Sequence, residues 1–499
     1  MKRDGDWIVC DNLLSLASAS AFTMDPEEAK SGKWLVRRGV WGASSGLLVC
    51  SEAGHAVPEL RVVPGLTGWH EVRVRIYHPT NPEGWGIYVG TSRDRALRLL
   101  RAELRTEDFE ELSLGQRDMT EADVVVDGSW INCALDSVRF RPCAKPRALP
   151  LTDKEVCGIL DFADAPDDYR PMDVCAAEAV RVHAEAGFTS ILWKAFAVRC
   201  EFHSQVGEIR TASLQPGLRV TVGHLLEKYD TLAAAAAEGR ALGLKMLGWM
   251  RISNETSGAG EWAKFAPTTP FHRAHPEMRQ RDRNGNLTPR LSFAFSEVRA
   301  YLCAIGREIL DRGMDGLAID VLRHPPMVRY DQPLIEAFIR QTGQDPRQMD
   351  GDGTEEWLRF RAQAFTALLR DFRQMMRASG HGNKALYVRT MPQVWRNLRD
   401  GCDVGAWLRE GLVDTIILGH HGMTSPGHVW QMDWQPMLTL IGGRARVLAQ
   451  VMRFTEMPVG LELARQAYAQ GADGVVIYES NDVVTRPSQR DAIARLRCR

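Results

Sequence analysis

Two rhythms of apolar and polar positions divide the chain. Over residues 1–145 the period is two. In His70–Tyr77, Val72, Val74 and Ile76 alternate with Glu71, Arg73 and Arg75, so one face of a strand is apolar and the other charged. Comparable short runs occupy Trp34–Trp41, Gly86–Gly90, Asp123–Val126 and Ser137–Arg141, with turn residues between them. Many short strands punctuated by turns predict a β-sandwich for residues 1–145, an accessory unit. Pro142, Pro146 and Pro150 then mark a hinge.

From residue 146 to 499 apolar runs alternate with stretches of helical period. Strands are predicted at Val156–Phe162, Ser190–Ala195, Lys245–Ile252, Asp315–Leu322, Ala385–Met391, Thr415–His420, Arg446–Arg453 and Gly474–Glu479. Helices are predicted at Asp173–Ala186, Thr231–Leu242, Glu297–Arg312, Pro333–Gln341, Glu355–Ala378, Val394–Glu410 and Val459–Gln470, with a weaker one at Met432–Ile441. Glycines such as Gly243, Gly313 and Gly343 follow their ends, as helix C-termini prefer. Eight strand–helix units predict a (β/α)8 TIM barrel of the α/β class. A doubly wound open sheet is the competing arrangement, but no Gly-rich nucleotide loop follows the first strand.

Composition narrows the function classes. The 499 residues are 44% hydrophobic and 25% charged, with a formal net charge of -1. That balance fits an ordinary globular chain and points to neither a nucleic-acid nor a membrane partner. No apolar run is long enough to cross a bilayer, and no apolar segment follows the basic start Lys2-Arg3, so a cytoplasmic location is expected. The ten cysteines are scattered without a C-x-x-C pair and read as reduced thiols.

In a TIM barrel the chemistry gathers at the C-terminal ends of the strands. There the chain carries Asp161 and Asp164, Lys194, Arg251 with Asn254 and Glu255, Asp320 with Arg323 and His324, Arg389, His420 and His421, Gln450 and Arg453, and Glu479. Strand four is the most informative. Leu317, Ile319 and Val321 share one face, and Gly316, Ala318 and Asp320 share the other, so the carboxylate stands above small residues that face the barrel axis. A buried carboxylate needs a partner, and an ion pair of Asp320 with Arg251 or Arg389 is the structural alternative to a catalytic role. His420 and His421 point to opposite sides of an extended strand. Even with His224, His324 or Asp161 they match no zinc spacing, so neither a metal nor another cofactor is expected.

The run Asp315-Gly316-Leu317-Ala318-Ile319-Asp320-Val321-Leu322-Arg323-His324-Pro325 resembles the D-G-[IL]-x-x-D-x-x-R-x-P signature of bacterial glycosyl hydrolase-like TIM-barrel proteins. His275–Gly285, followed by the helix beginning at Ser296-Glu297-Val298-Arg299, resembles that group's loop after strand three, and Phe338–Pro346 with the later Trp357-Leu358-Arg359-Phe360-Arg361 resembles its excursion after strand four. The resemblance covers roughly Val156 to Arg377 and departs at His324, where an aromatic residue is expected. It implies a sugar-type substrate and marks Asp320 and Arg323 as rim residues.

Glycoside hydrolysis needs two carboxyl groups across the scissile bond. Asp320 is the first candidate. Glu479, Asp161, Asp164 and Glu255 compete as its partner, with Glu479 leading because it is the sole ionisable end of an apolar strand. Arg251, Arg323, Arg389 and Arg453, with His324, His420, His421, Lys194 and Asn254, are the expected substrate contacts. Four arginines favour an anionic sugar such as a sialic or uronic acid, unless they serve to neutralise the carboxylates. Two further readings stand beside hydrolysis: a catalytically silent carbohydrate-binding or scaffold barrel, and a lyase or aldolase using Lys194 as a Schiff base.

Overall fold

The computed structural model describes the chain apart from residues 106–107, 147–153, 163–164, 212–219, 253–268, 323–324, 420–432, 453–456 and 498–499. It divides into two compact units: Met1–Leu151 with Ala165–Val182 and Asn481–Ala492, and Thr152–Asp164 with His183–Ser480 and Ile493–Arg499.

The first unit contains two sheets. One has eight strands, among them Trp69–His78, Asp108–Asp118 and Cys133–Pro142. The other has five, including Gly86–Thr91, Leu97–Arg101 and Val124–Asp127. The expected alternation holds in Trp69–His78: Val72, Val74 and Ile76 are fully buried. They join one apolar cluster with Trp34, Val49 and Val138 of the same sheet and Ile87, Val89, Leu100, Val124 and Val126 of the other. On the opposite face Arg73 pairs with Glu71 at 2.5 Å and with Glu111 at 3.2 Å.

The second unit is built on eight parallel strands: β1 (Glu155–Leu160), β2 (Ser190–Ala197), β3 (Lys245–Met250), β4 (Gly316–Asp320), β5 (Ala385–Thr390), β6 (Thr415–Leu418), β7 (Arg446–Met452) and β8 (Gly474–Tyr478). Each pairs with its neighbours, and β1 pairs with both β8 and β2, so the sheet closes into a barrel. Cys157, Ile159, Leu192, Leu247, Trp249, Ala318, Tyr387, Ile417, Leu448, Val476 and Tyr478 form the interior cluster. Their spacing of two along each strand sets the inward parity, which places Asp161, Lys194, Arg251, Asp320, Arg389 and Gln450 on the same inward register at the C-terminal ends.

The helices show why the local sequence folds as it does. Asp230 caps Thr231–Leu242 by accepting from the Ala233 amide, and Gly243 ends it in the left-handed region at φ 70°. Glu355–Ala378 is capped by Thr354 and buries Trp357, Phe365, Leu368, Leu369, Phe372 and Met376 along one face. Each such side chain is worth about 1.5–3 kcal/mol of burial. The expected helix Val394–Glu410 is two, Val394–Arg399 and Val404–Arg409. Gly401 adopts φ 90°, and Asp403 starts the second helix by accepting from the Ala406 amide.

Candidate active site

Two carboxylates organise the upper end of the barrel. Asp161, just past β1, accepts from Lys194 Nζ at 2.6 Å through one oxygen and from Arg251 Nη1 at 2.8 Å through the other. Asp320, the last residue of β4, accepts from Arg389 Nη1 at 3.0 Å and Trp249 Nε1 at 3.1 Å on Oδ2, and from the Leu322 amide at 2.9 Å on Oδ1. The β4–β5 register sets Asp320 directly opposite Arg389, so the ion pair is a consequence of strand pairing.

These pairs extend into one network. Lys194 also meets Glu201 Oε1 at 2.8 Å, and Arg210 meets the same oxygen at 3.0 Å. Arg389 passes its second amino group to Gln450 Oε1 at 2.7 Å and lies over the Tyr478 ring, 4.6 Å from its centroid. Arg251 lies over the Trp249 ring at 5.2 Å, and the Trp249 and Tyr478 rings meet edge to face. Gly419 leaves the space for this: a Cβ there would stand 2.5 Å from Gln450 Oε1 and 3.1 Å from Arg389 Nε.

Burial sets the electrostatics. Lys194 has no exposed surface, and desolvation pushes its pKa down to about 8, against the pull of Asp161 and Glu201. Desolvation opposes the Arg251 charge as well, but Tyr478 and the carboxylates of Asp161, Asp320 and Glu201 outweigh it and hold its pKa above the usual value.

Among the residues singled out from sequence, Asp161, Lys194, Arg251, Asp320 and Arg389 come together in this network. The ion pair expected as the structural alternative for Asp320 is present, with Arg389. Glu479 is half-buried in the turn after β8, with a left-handed φ of 55°, a conformation that non-glycine residues rarely adopt. Asp164, Asn254, Glu255, Arg323, His324, His420, His421 and Arg453 lie outside the described residues. Among the described residues, no group of three or more His, Cys, Asp or Glu side chains is placed to hold a metal ion.

Sequence reasoning missed Glu201 and Arg210. After β2 the chain turns at Val198, φ 70°, and Arg199–Cys200 pairs antiparallel with the end of β2. That return carries Glu201 back onto Lys194. The available signal was Lys194 itself, since a lysine on the inward register of a barrel requires more than one acid around it.

No family model and no curated protein matches the chain. Among solved structures it is similar to the PgaB (BpsB) glycoside hydrolase domain from Bordetella bronchiseptica, at 13% identity and a TM-score of 0.45, covering 69% of this chain and 98% of that one. It is also similar to the catalytic domain of a β-amylase from Paenibacillus polymyxa, at 11% identity and a TM-score of 0.44, covering 67% of this chain and 95% of that one. An α-galactosidase from Thermus thermophilus is similar at 13% identity and a TM-score of 0.39, covering 94% of this chain and 95% of that one. Likenesses this remote assign no activity to the chain.

Proposed function

We propose that the chain is a glycoside hydrolase acting at the C-terminal rim of the barrel. The observation that carries this reading is Asp320: an inward carboxylate at the end of β4, held by Arg389, Trp249 and a backbone amide on its two oxygens. In each of these three contacts the carboxylate accepts, which suits a nucleophile or general base better than a proton donor. The acid role then falls to a second carboxyl group. Glu479, half-buried in the turn after β8, is proposed for that role, with Asp161, both of whose oxygens accept from cations, as the alternative. Trp249 and Tyr478, buried beneath the network with Arg251 and Arg389 over their rings, hold these arginines in place rather than offering faces to a sugar. Arg251 and Arg389 neutralise Asp161 and Asp320, so these two arginines do not carry the reading of an anionic sugar such as a uronic or sialic acid. The two-sheet unit is proposed as a β-sandwich accessory module, with the boundary near residue 145.

The test is a screen of chromogenic glycosides of neutral and acidic sugars, followed by NMR of the first-formed anomer. Turnover with a bell-shaped pH profile supports the reading; sugar binding without turnover on any glycoside replaces it with the silent binding barrel. One observation favours a second reading. Lys194, with its pKa pushed down to about 8, has the lowered basicity of a Schiff-base lysine. Borohydride trapping of a carbonyl substrate on Lys194 would support the lyase, although its two carboxylate contacts already occupy the ammonium.

A further inference from the structure

The segments that follow β3, β4 and β5 line a pocket of about 410 Å³, open to solvent, within the barrel unit. Five arginines line it: Arg283, Arg329, Arg361, Arg396 and Arg399. Three carboxylates face them, Asp282, Asp352 and Asp400. Two of the arginines are neutralised, Arg396 by Asp400 at 3.0 Å and Arg399 by Asp352 at 2.5 Å. Asp282 is committed to its own turn, accepting from the amides of Asn284 and Asn286 at 2.9 Å and from the Asn286 side chain.

The other three arginines make no ion pair within 4.0 Å among the described residues; at longer range Asp331, Asp352 and Asp400 act on Arg361, and Asp282 and Asp331 act on Arg329. Arg283 donates to the carbonyls of Arg347, Met349 and Gly351. Arg361 is 4% exposed, gives one amino group to the Arg399 carbonyl, and keeps a buried Nε without a hydrogen-bond partner. Arg329 also has a buried Nε without a partner. The Tyr330 ring, 5.8 Å from Arg361, offers only a weak attraction. Burial of the Arg361 guanidinium outweighs the pull of Asp352, Asp400 and Asp331 and holds its pKa below the usual arginine value. A roomy cavity with an excess of cations, two of which still have donors to give, is built for an anion.

We propose that this cavity binds an oxyanion group of a ligand — carboxylate, sulfate or phosphate — with Arg361 and Arg329 as its principal donors. A planar guanidinium fork matches the paired oxygens of each of these groups. The inference does not depend on the hydrolase reading, because it rests on none of the residues of the Asp320 network.

Calorimetric titration of the full chain tests it, with sodium phosphate, sodium sulfate and sodium galacturonate as probes at constant ionic strength in chloride. The variants are Arg361→Met, Arg329→Gln and the control Arg465→Gln, whose side chain is 68% exposed. Saturable binding of at least one probe is expected, weakened about tenfold or more in both cavity variants and unchanged in the control. Binding of galacturonate alone identifies a carboxylate site; binding of phosphate and sulfate identifies a tetrahedral-anion site. Absence of saturable binding for all three probes overturns the proposal. Wild-type affinity in Arg329→Gln also overturns it, and that variant decides the matter if Arg361→Met fails to fold, because among the described residues the Arg329 side chain makes no hydrogen bond that folding would lose.

Discussion

At the lower end of the barrel a single acid gathers donors from three other strands. Glu155 on β1 accepts from Ser190 Oγ at 2.7 Å, from the Tyr387 hydroxyl at 3.1 Å on both oxygens, and from Arg446 at 2.7 Å. Lys245 donates to the same hydroxyl at 2.8 Å. At the upper end of the same strands Asp161, Glu201 and Asp320 interlock with Lys194, Arg210, Arg251 and Arg389. The lower layer centres on one carboxylate whose cation, Arg446, is 41% exposed. In the upper network Lys194, Asp320 and Arg389 are at most 2% exposed, and several groups answer to more than one partner. The contrast teaches that polar residues inside a barrel are not functional by being buried. A saturated acid ties strands together, whereas a linked array of charges responds as a whole when a reactant or a proton enters.

That comparison can be broken most severely at Arg389. Arg389→Met removes the ion pair of buried Asp320, and unfolding in denaturant should show a loss of about 3–5 kcal/mol. A loss below about 1 kcal/mol would mean the upper pairs are as dispensable as surface ones. A second test uses pH. Folding lowers the Lys194 pKa from 10.5 to about 8, so between those values the unfolded chain binds more protons and stability rises with pH. The gain, on the order of 3 kcal/mol, should vanish from the difference curve in Lys194→Met. Gly419→Ala should cost about 1–3 kcal/mol, because its Cβ collides with Gln450. Glu155→Gln should have the smallest effect, about 1 kcal/mol, since the amide retains an acceptor and Arg446 can turn to solvent.

The legibility of the molecule follows the same division. All eight barrel strands were readable because short apolar runs alternate with segments of helical period, several of them ending at glycine, and β4 even showed which face Asp320 takes. Leu47–Ser51, Leu97–Arg101 and Asp108–Asp118 of the first unit were not foreseen, since strands this short or this polar acquire their pattern only from the sheet they join. The split of the helix after β5 was signalled by Gly401 but overridden by the helical period around it. In the site, residues on strand ends were legible by position. Glu201, Arg210 and the arginines of the cavity were not, because they sit on returns and insertions whose path no periodicity encodes. Glu155 escaped because nothing in sequence distinguishes the first residue of a strand from the loop before it.

Turnover per folded molecule in Asp320→Asn and Glu155→Gln, on the glycoside that the screen identifies, tests the central claim most directly. Asp320→Asn will itself lower stability through Arg389, so folded protein must be quantified by its thermal transition before rates are compared. The account predicts a fall of about a hundred- to ten-thousand-fold in Asp320→Asn and a rate within about twofold of wild type in Glu155→Gln. Wild-type turnover in folded Asp320→Asn, or equal losses at both ends of the barrel, would contradict it.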